Sequence, residues 1–257
     1  MITQNSLKIE VAKRKQEFLI ALHAALDRAT PRLFEKAVIL LSEFLDNKWI
    51  TESETLALHA EIKAVRCLAP KRPTEESNYA VTRQLCGINV ICLLDKWNVE
   101  WNEAMSEELA RVNGVDTVTL YLEQNQHDTY KSQAAEIVGM ISDQGTINHL
   151  LREQDTLSIL VESLRHKSLI VKQNVAEALG VFLKDPEVHE SLDNDRILQV
   201  LMSEYHRTND QNFLESLLLC LMNLSNIGSF KVRQTSFEFL VCHVRGWNRG
   251  RRDLQHG

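Results

Sequence analysis

The chain has 257 residues, of which 44% are hydrophobic and 25% are charged. This balance is ordinary for a folded domain and excludes an intrinsically disordered chain. Glycine (9) and proline (4) are scarce, which argues against turn-rich all-β folds and favours helices. A formal net charge of −6 argues against general affinity for nucleic acid or anionic lipid, because both bind basic surfaces.

The cysteines and the apolar runs bear on the compartment. The 5 cysteines show none of the spacings of a zinc site, and Cys86, Cys92 and Cys220 lie among apolar residues, where cysteine acts as a small hydrophobe. We expect reduced core thiols and so an intracellular protein, cytoplasmic or alternatively nuclear. The N-terminus has no signal-peptide core, and no apolar run nears the roughly 18 residues that span a bilayer. We therefore expect no membrane partner.

Helical patterns fill the first part of the chain, residues 1–111. Apolar residues recur at helical spacing, which predicts one helix in each of five ranges: 7–28, 31–46, 51–68, 74–96 and 99–111. Pro70 and Pro73 separate the third helix from the fourth, since proline cannot continue a helix. This part holds no clean copy of the repeat found further along the chain. We expect either divergent repeats or a helical cap.

An apolar block recurs in the second part of the chain, at 134–141, 175–182 and 217–224, with steps of about forty residues. Each block follows a shorter apolar segment and a polar corner. The shorter segments begin near three aspartates that we expect to be helix N-caps: Asp116, Asp155 and Asp195. Each repeated unit is thus predicted to be a helix, a corner and a longer buried helix. Self-similarity at this spacing is typical of stacked helical units that bury one another's apolar faces.

Glycine inside two of the predicted long helices needs a reason, since it costs about 1 kcal/mol there relative to alanine. Gly139 and Gly180 hold matching places in the first two blocks, and Met222 holds that place in the third. We expect a neighbouring helix to approach closely at the two glycines, because glycine has no Cβ. Met222 must have a different packing partner.

The third block carries the clearest family signature. Residues 220–225 read Cys-Leu-Met-Asn-Leu-Ser. A unit of about 42 residues whose long third helix carries this pattern resembles the armadillo repeat, with HEAT repeats as the alternative. The resemblance implies an all-α fold, a right-handed α-solenoid of armadillo/HEAT-like repeats. We divide the chain into an N-terminal helical region (1–111), the repeats (112–245) and a basic, disordered tail (246–257).

The resemblance also implies a binding residue. In armadillo families the Asn of this pattern faces the concave groove and bonds the backbone of an extended bound peptide, a role that carries over to Asn223. The aligned residues Met140 and Val181 are candidates for the same groove, although neither can make that bond. Asn223 has a second interpretation, in which its side chain bonds a nearby backbone group or water.

Two tryptophans form another candidate contact. Trp97 and Trp101 are four residues apart, at a predicted break between helices, and Trp is enriched in binding hot spots. The alternative is that they pack between helices, with each indole N–H donating to a local acceptor.

No catalytic signature stands out. The chain has no Gly-rich phosphate loop, no His-Glu-x-x-His, no Cys-x-x-Cys and no Gly-x-Ser-x-Gly, so we expect no enzyme, cofactor, metal or small-molecule ligand. The expected function is an interaction scaffold that binds a peptide or helix of a partner protein in its groove. Two alternatives are an architectural subunit of a larger assembly and a nucleic-acid-associated protein that uses basic ends, including Arg249, Arg251 and Arg252.

Overall fold

The computed structural model describes residues 60–96, 100–123, 127–185, 187–188 and 194–227, together with single residues between 13 and 39. Within these ranges the regular structure is α-helical throughout, without strands. The helices are α1 (Ala60–Cys67), α2 (Ser77–Lys96), α3 (Glu103–Arg111), α4 (Gly114–Glu123), α5 (Asp128–Ile141), α6 (Gly145–Glu153), α7 (Thr156–Ser163), α8 (Leu169–Phe182), α9 (Asn194–Arg207) and α10 (Gln211–Ile227).

The chain forms two compact units, Met1–Thr117 and Val118–Gly257. The boundary between residues 111 and 112 stays a prediction. The predicted helices over 7–28 and 31–46 lie largely outside the described residues, and the predicted tail, 246–257, lies wholly outside them.

Helices of matching length recur in chain order. α3, α4 and α5 have 9, 10 and 14 residues, and α6, α7 and α8 have 9, 8 and 14. Three helices per unit is the armadillo pattern, whereas a HEAT unit has two. The prediction of two helices per unit was therefore wrong, because it missed α6. A helix of 9 residues has too few apolar positions for the helical spacing to be recognised in the sequence.

The turns before α4 and α7, the second helices of the two three-helix repeats, have the same backbone conformation. Asn113 and Asp155 both have a φ of 52°, in the left-handed region that Asn and Asp enter more readily than other residues with side chains. Asp155 makes no cap hydrogen bond, and its Oδ1 accepts from Ser158 Oγ at 2.8 Å instead. Asp116 and Asp195 lie inside α4 and α9. Asp155 thus holds the predicted N-cap position of α7 without its side-chain bond, and the N-cap prediction was wrong for Asp116 and Asp195. An acidic side chain in the first turn still favours the helix dipole.

In the first unit the end of α1 is held against α2 by Arg83. Its Nη1 donates to Cys67 O at 2.5 Å, its Nη2 to Ala69 O at 2.8 Å and its Nε to Glu75 Oε1 at 2.9 Å. The side chains of Arg83 and Glu75 are only 13% and 10% exposed. The Arg83 hydrogen bond holds the pKa of Glu75 below its ordinary value. The network supplies donors to carbonyls that the helix end leaves without partners.

A second ionic network joins α1 to α3. Glu108 accepts from Arg111 Nη2 at 2.6 Å and from Arg66 Nε at 2.5 Å, both on Oε1. The hydrogen bond from Arg111, with the further one from Arg66, lowers the pKa of Glu108 to about 2. This carboxylate therefore stays ionised well into the acid range.

In the second unit α8 packs between α5 and α10. A Cβ built on Gly139 would lie 3.4 Å from Ala178 Cα, and one built on Gly180 would lie 3.2 Å from Leu219 Cδ2. The predicted close approach is confirmed at both glycines. Leu179, on the buried side of α8, is fully shielded from solvent.

The described cysteines are free thiols, and Cys86, Cys92 and Cys220 are buried. The prediction of core thiols is confirmed for these three residues. Cys242 lies outside the described residues.

Candidate partner-binding face

Each long helix of the second unit leaves one stripe of its surface accessible. Every stripe carries a glutamate and, one or two turns later, an apolar residue: Glu136 and Met140 on α5, Glu177 and Val181 on α8, and Glu215 and Met222 on α10. Met140 and Val181 are half-buried, whereas Met222 is 50% exposed. We call these six residues the long-helix face.

The long helices pack against one another next to these apolar residues. Gly139, beside Met140, faces Ala178 of α8. Asn223, beside Met222, donates from Nδ2 to Gly180 O of α8 at 2.7 Å. Because Gly180 directly precedes Val181, α5, α8 and α10 are in contact at the level of their accessible apolar residues.

The long-helix face combines carboxylates with apolar side chains. Glu177 is exposed, and Glu215 is exposed while accepting a hydrogen bond from Gln211 Nε2 at 2.7 Å. Lys172, in the first turn of α8, is directed elsewhere, since its Nζ lies 2.6 Å from Glu204 Oε2. This face therefore presents negative charge beside apolar surface.

The ion pair of Lys172 also helps to place α8. Glu204 of α9 is buried, with its side chain 3% exposed, and it pairs with Arg207 at 3.3 Å as well as with Lys172. The Lys172 ammonium lies 5.7 Å from the centre of the Phe213 ring of α10, a cation–π distance. One lysine thus links α8 to both α9 and α10.

Asn223 is buried, with 9% of its surface exposed. Its bond to Gly180 O matches the second interpretation of this residue, in which the amide serves the protein's own backbone. Its role in binding a partner stays a prediction. Its neighbour Met222, which the sequence alignment pairs with Gly139 and Gly180, is 50% exposed.

Trp101 is half-buried, and its Nε1 donates to Ser106 Oγ at 2.8 Å. This is the local acceptor that the packing alternative expects, and a contact of Trp101 with a partner stays a prediction. Trp97 lies outside the described residues, as do Arg249, Arg251 and Arg252. Met140 and Val181 are half-buried on α5 and α8, and their roles in binding stay predictions.

A separate cleft of about 450 Å³ opens near the corner between α4 and α5, and its lining includes Glu123, Lys131, Glu162 and His166. Burial lowers the pKa of His166, partly opposed by the Asp128 carboxylate. His166 Nδ1 accepts from Ser168 N at 3.1 Å. Acidic and basic side chains alternate around this cleft, so it presents no net charge of one sign to a ligand.

Two features are absent from the part of the chain that the structure describes. There, no three His, Cys, Asp or Glu side chains are placed to hold a metal ion together. None of the helices described is long and apolar enough to cross a membrane.

Comparison with protein-family models and with curated proteins gave no match. Solved structures match the fold. A designed armadillo repeat protein is 16% identical, with a TM-score of 0.60 over 86% of this chain and 87% of that one. A second, in complex with the peptide (KR)4, is 15% identical with a TM-score of 0.60 over 86% and 87%. A third, computationally designed for modular peptide recognition, is 17% identical with a TM-score of 0.54 over 86% and 94%.

At these identities the likeness shows the fold alone. It agrees with the order of one short, one short and one long helix seen twice in the chain. The chain is an all-α solenoid of armadillo-like helical repeats.

Proposed function

We propose that this protein is a non-enzymatic scaffold that binds an extended peptide segment of a partner protein on the long-helix face. The observation that carries the proposal is that each of the three packed long helices keeps an apolar residue accessible: Met140, Val181 and Met222. Side chains repeated at the spacing of the helices suit a ligand that is itself repetitive, and an extended peptide presents side chains at regular intervals.

The negative charge of the face favours one class of partner, a peptide that carries lysine or arginine between apolar residues. A glutamate precedes each apolar residue of the face by one or two helical turns: Glu136, Glu177 and Glu215. Opposite charges across an interface favour association with the right partner and disfavour wrong ones. The designed armadillo protein that binds the peptide (KR)4 supports this choice by analogy of fold. An acidic binding face also disfavours nucleic acid as the partner.

The thiols support an intracellular site of action. Cys67, Cys86, Cys92 and Cys220 are not joined in disulfides, and reduced cysteines are usual in the cytoplasm and the nucleus. We propose the cytoplasm, with the nucleus as the alternative.

The experiment is selection of peptides from a random display library on the purified full chain, followed by affinity measurement with fluorescence anisotropy. We expect the selected peptides to combine basic and apolar residues. Val181→Asp and Met222→Asp should each weaken them about tenfold or more, which corresponds to about 1.4 kcal/mol. Glu177→Lys should weaken the basic peptides and leave neutral ones unchanged.

The matched control is Leu120→Asp, because Leu120 is 41% exposed on α4, away from the long-helix face. It should leave the affinity unchanged. Peptides whose affinity falls equally with Leu120→Asp and Val181→Asp, or with neither, would show that binding takes place elsewhere. Selection of acidic peptides would overturn the assignment of the partner's charge.

A further inference from the structure

The cleft near the corner between α4 and α5 has the properties of a ligand site and shares no residue with the long-helix face. Its volume of about 450 Å³ is in the range of small-molecule sites, roughly 300–1,000 Å³. Most of its wall is apolar, and the half-buried Ile159 of α7 contributes to it. A concave, mostly apolar wall with a few polar groups suits an organic molecule better than a hydrated ion.

Two polar side chains of the cleft wall lack a partner in the part of the chain that the structure describes. Lys131 lies in the first turn of α5 and is half-buried, and Ser163 is the last residue of α7 and is 5% exposed. Within the described residues, the Lys131 ammonium forms no hydrogen bond or ion pair and the Ser163 hydroxyl forms no hydrogen bond. Shielded polar groups are normally hydrogen-bonded, so a ligand that supplies acceptors would satisfy both.

The acidic side chains of the wall are paired or well hydrated. Glu162 is paired with Arg196 and lies 3.9 Å from Arg165. Glu123, at the end of α4, is exposed, so water already solvates its carboxylate. Lys131 is therefore the charged group that this described wall leaves both partly shielded from water and unpaired.

The electrostatics of the cleft favour a negatively charged ligand. Burial lowers the pKa of Lys131, because the ammonium group loses hydration. Burial also lowers the pKa of His166, although the Asp128 carboxylate opposes it. The Nδ1 atom of His166 accepts from Ser168 N at 3.1 Å, so the neutral ring carries its proton on Nε2 and adds a donor rather than a charge. A bound negative group would restore the stabilisation that Lys131 loses, whereas a bound cation would add repulsion.

We propose that this cleft binds a small organic carboxylate, whose negative group pairs with Lys131 and accepts from Ser163 while its apolar body packs against Ile159. An ionised acceptor makes a stronger hydrogen bond than a neutral one, and partial shielding from water strengthens it further. The corresponding amide has almost the same shape and keeps the apolar contact, but it cannot form the ion pair. Comparison of an acid with its amide therefore isolates the interaction that defines the site.

The test is titration of the purified full chain with pairs of an acid and its amide, followed by ligand-observed NMR at millimolar concentrations. The pairs are butyrate with butyramide, hexanoate with hexanamide, and phenylacetate with phenylacetamide. We expect at least one acid to bind saturably and about tenfold more tightly than its amide. A capped tripeptide with a free C-terminal carboxylate and its amide form a further pair. Tighter binding of this peptide than of every free acid would overturn the assignment to a small molecule.

Three variants locate the bound carboxylate, and circular dichroism must show that each retains its helical content. Lys131→Gln should weaken binding of the best acid about tenfold and abolish its advantage over the amide. Ser163→Ala should weaken it by a smaller factor, about threefold. Lys167→Gln is the matched control, because Lys167 is an exposed lysine of the same corner that does not line the cleft. It should leave the affinity unchanged.

Chemical labelling of lysine gives a second readout in the unaltered chain, so the test does not depend on the folding of the variants. Acetylation of Lys131 by acetic anhydride blocks tryptic cleavage there and replaces the peptide 112–131 by 112–152. The bound acid should slow this labelling and leave that of Lys167 unchanged. Equal affinities for acids and amides, equal losses with Lys131→Gln and Lys167→Gln, or labelling of Lys131 that no acid slows would overturn the proposal.

Discussion

Among α1, α2 and α3, the ionic networks of Arg83 and Glu108 add to a buried apolar core, whereas α5, α8 and α10 add neutral hydrogen bonds to theirs. In the first region Arg83 and Glu108 each serve several partners at helix ends. In the second region Gly139 and Gly180 let the helices close in. Asn174 Nδ2 donates to Ser132 O at 3.2 Å, and Asn223 Nδ2 donates to Gly180 O.

The difference shows that packed helices in this protein are stabilised in two ways. Both regions have apolar packing, which is insensitive to pH, and the second adds neutral hydrogen bonds between its long helices. The first region adds ionised groups near the surface, whose contribution varies with pH and salt. Substitutions can separate the two mechanisms.

The largest effect is expected in the second region. Leu179→Ala removes a fully buried side chain from α8 and should destabilise the unit by about 2–5 kcal/mol, through lost burial and the cavity left behind. Urea unfolding followed by circular dichroism measures the change. Leu169→Ala is the control on the same helix, because Leu169 is 42% exposed. A cost below about 0.5 kcal/mol for Leu179→Ala would contradict the burial of this position.

Next is the Arg83 network of the first region. Arg83→Met keeps much of the side-chain volume but leaves the shielded Glu75 carboxylate and the carbonyls of Cys67 and Ala69 without their donor. We expect a loss of about 2 kcal/mol, less than for a fully buried ion pair because the network lies near the surface. Arg72→Met makes the same charge change at an exposed side chain. Equal losses in the two variants would assign the effect to net charge rather than to the network.

A smaller effect is expected for the neutral hydrogen bond of the second region. Asn223→Ala removes the donor to Gly180 O and should cost about 1 kcal/mol. Asn223→Ala should change the peptide affinity of the long-helix face much less than Met222→Asp does. Asn226→Ala, at an exposed position of the same helix, should change neither quantity. A loss of affinity with unchanged stability would instead restore Asn223 as a binding residue.

The smallest effect is a change in pH dependence. The pKa of Glu108 is lowered from 4.5 to about 2 in the folded chain, so its contribution to stability is present above about pH 4.5 and is lost as the pH falls towards 2. Glu108→Gln should flatten stability in this window and lower it at neutral pH. Thermal unfolding at a series of pH values measures both. Glu107→Gln, at an exposed neighbour, should keep the pH dependence of the unaltered chain.

Composition and period determined the helical class and the repeat. The scarcity of glycine and proline predicted helices, and apolar blocks about forty residues apart predicted stacked units, because a helix with one uncovered apolar face needs a neighbour. Close helix packing at Gly139 and Gly180 was predictable, since glycine inside a buried helix indicates close packing. The short helix α6 escaped prediction, and the left-handed turns at Asn113 and Asp155 were not read from their sequence.

Only the tertiary structure decided which side chains face outwards. Successive residues on a helix point about 100° apart, so the choice between Met222 and Asn223 depends on how α10 is rotated against α8, and that rotation is set by Gly180 and its neighbours. The close approach of α1 to α2 has the same origin. Pro70 and Pro73 show that the chain turns between these helices, but only their packing places Cys67 against Gly87.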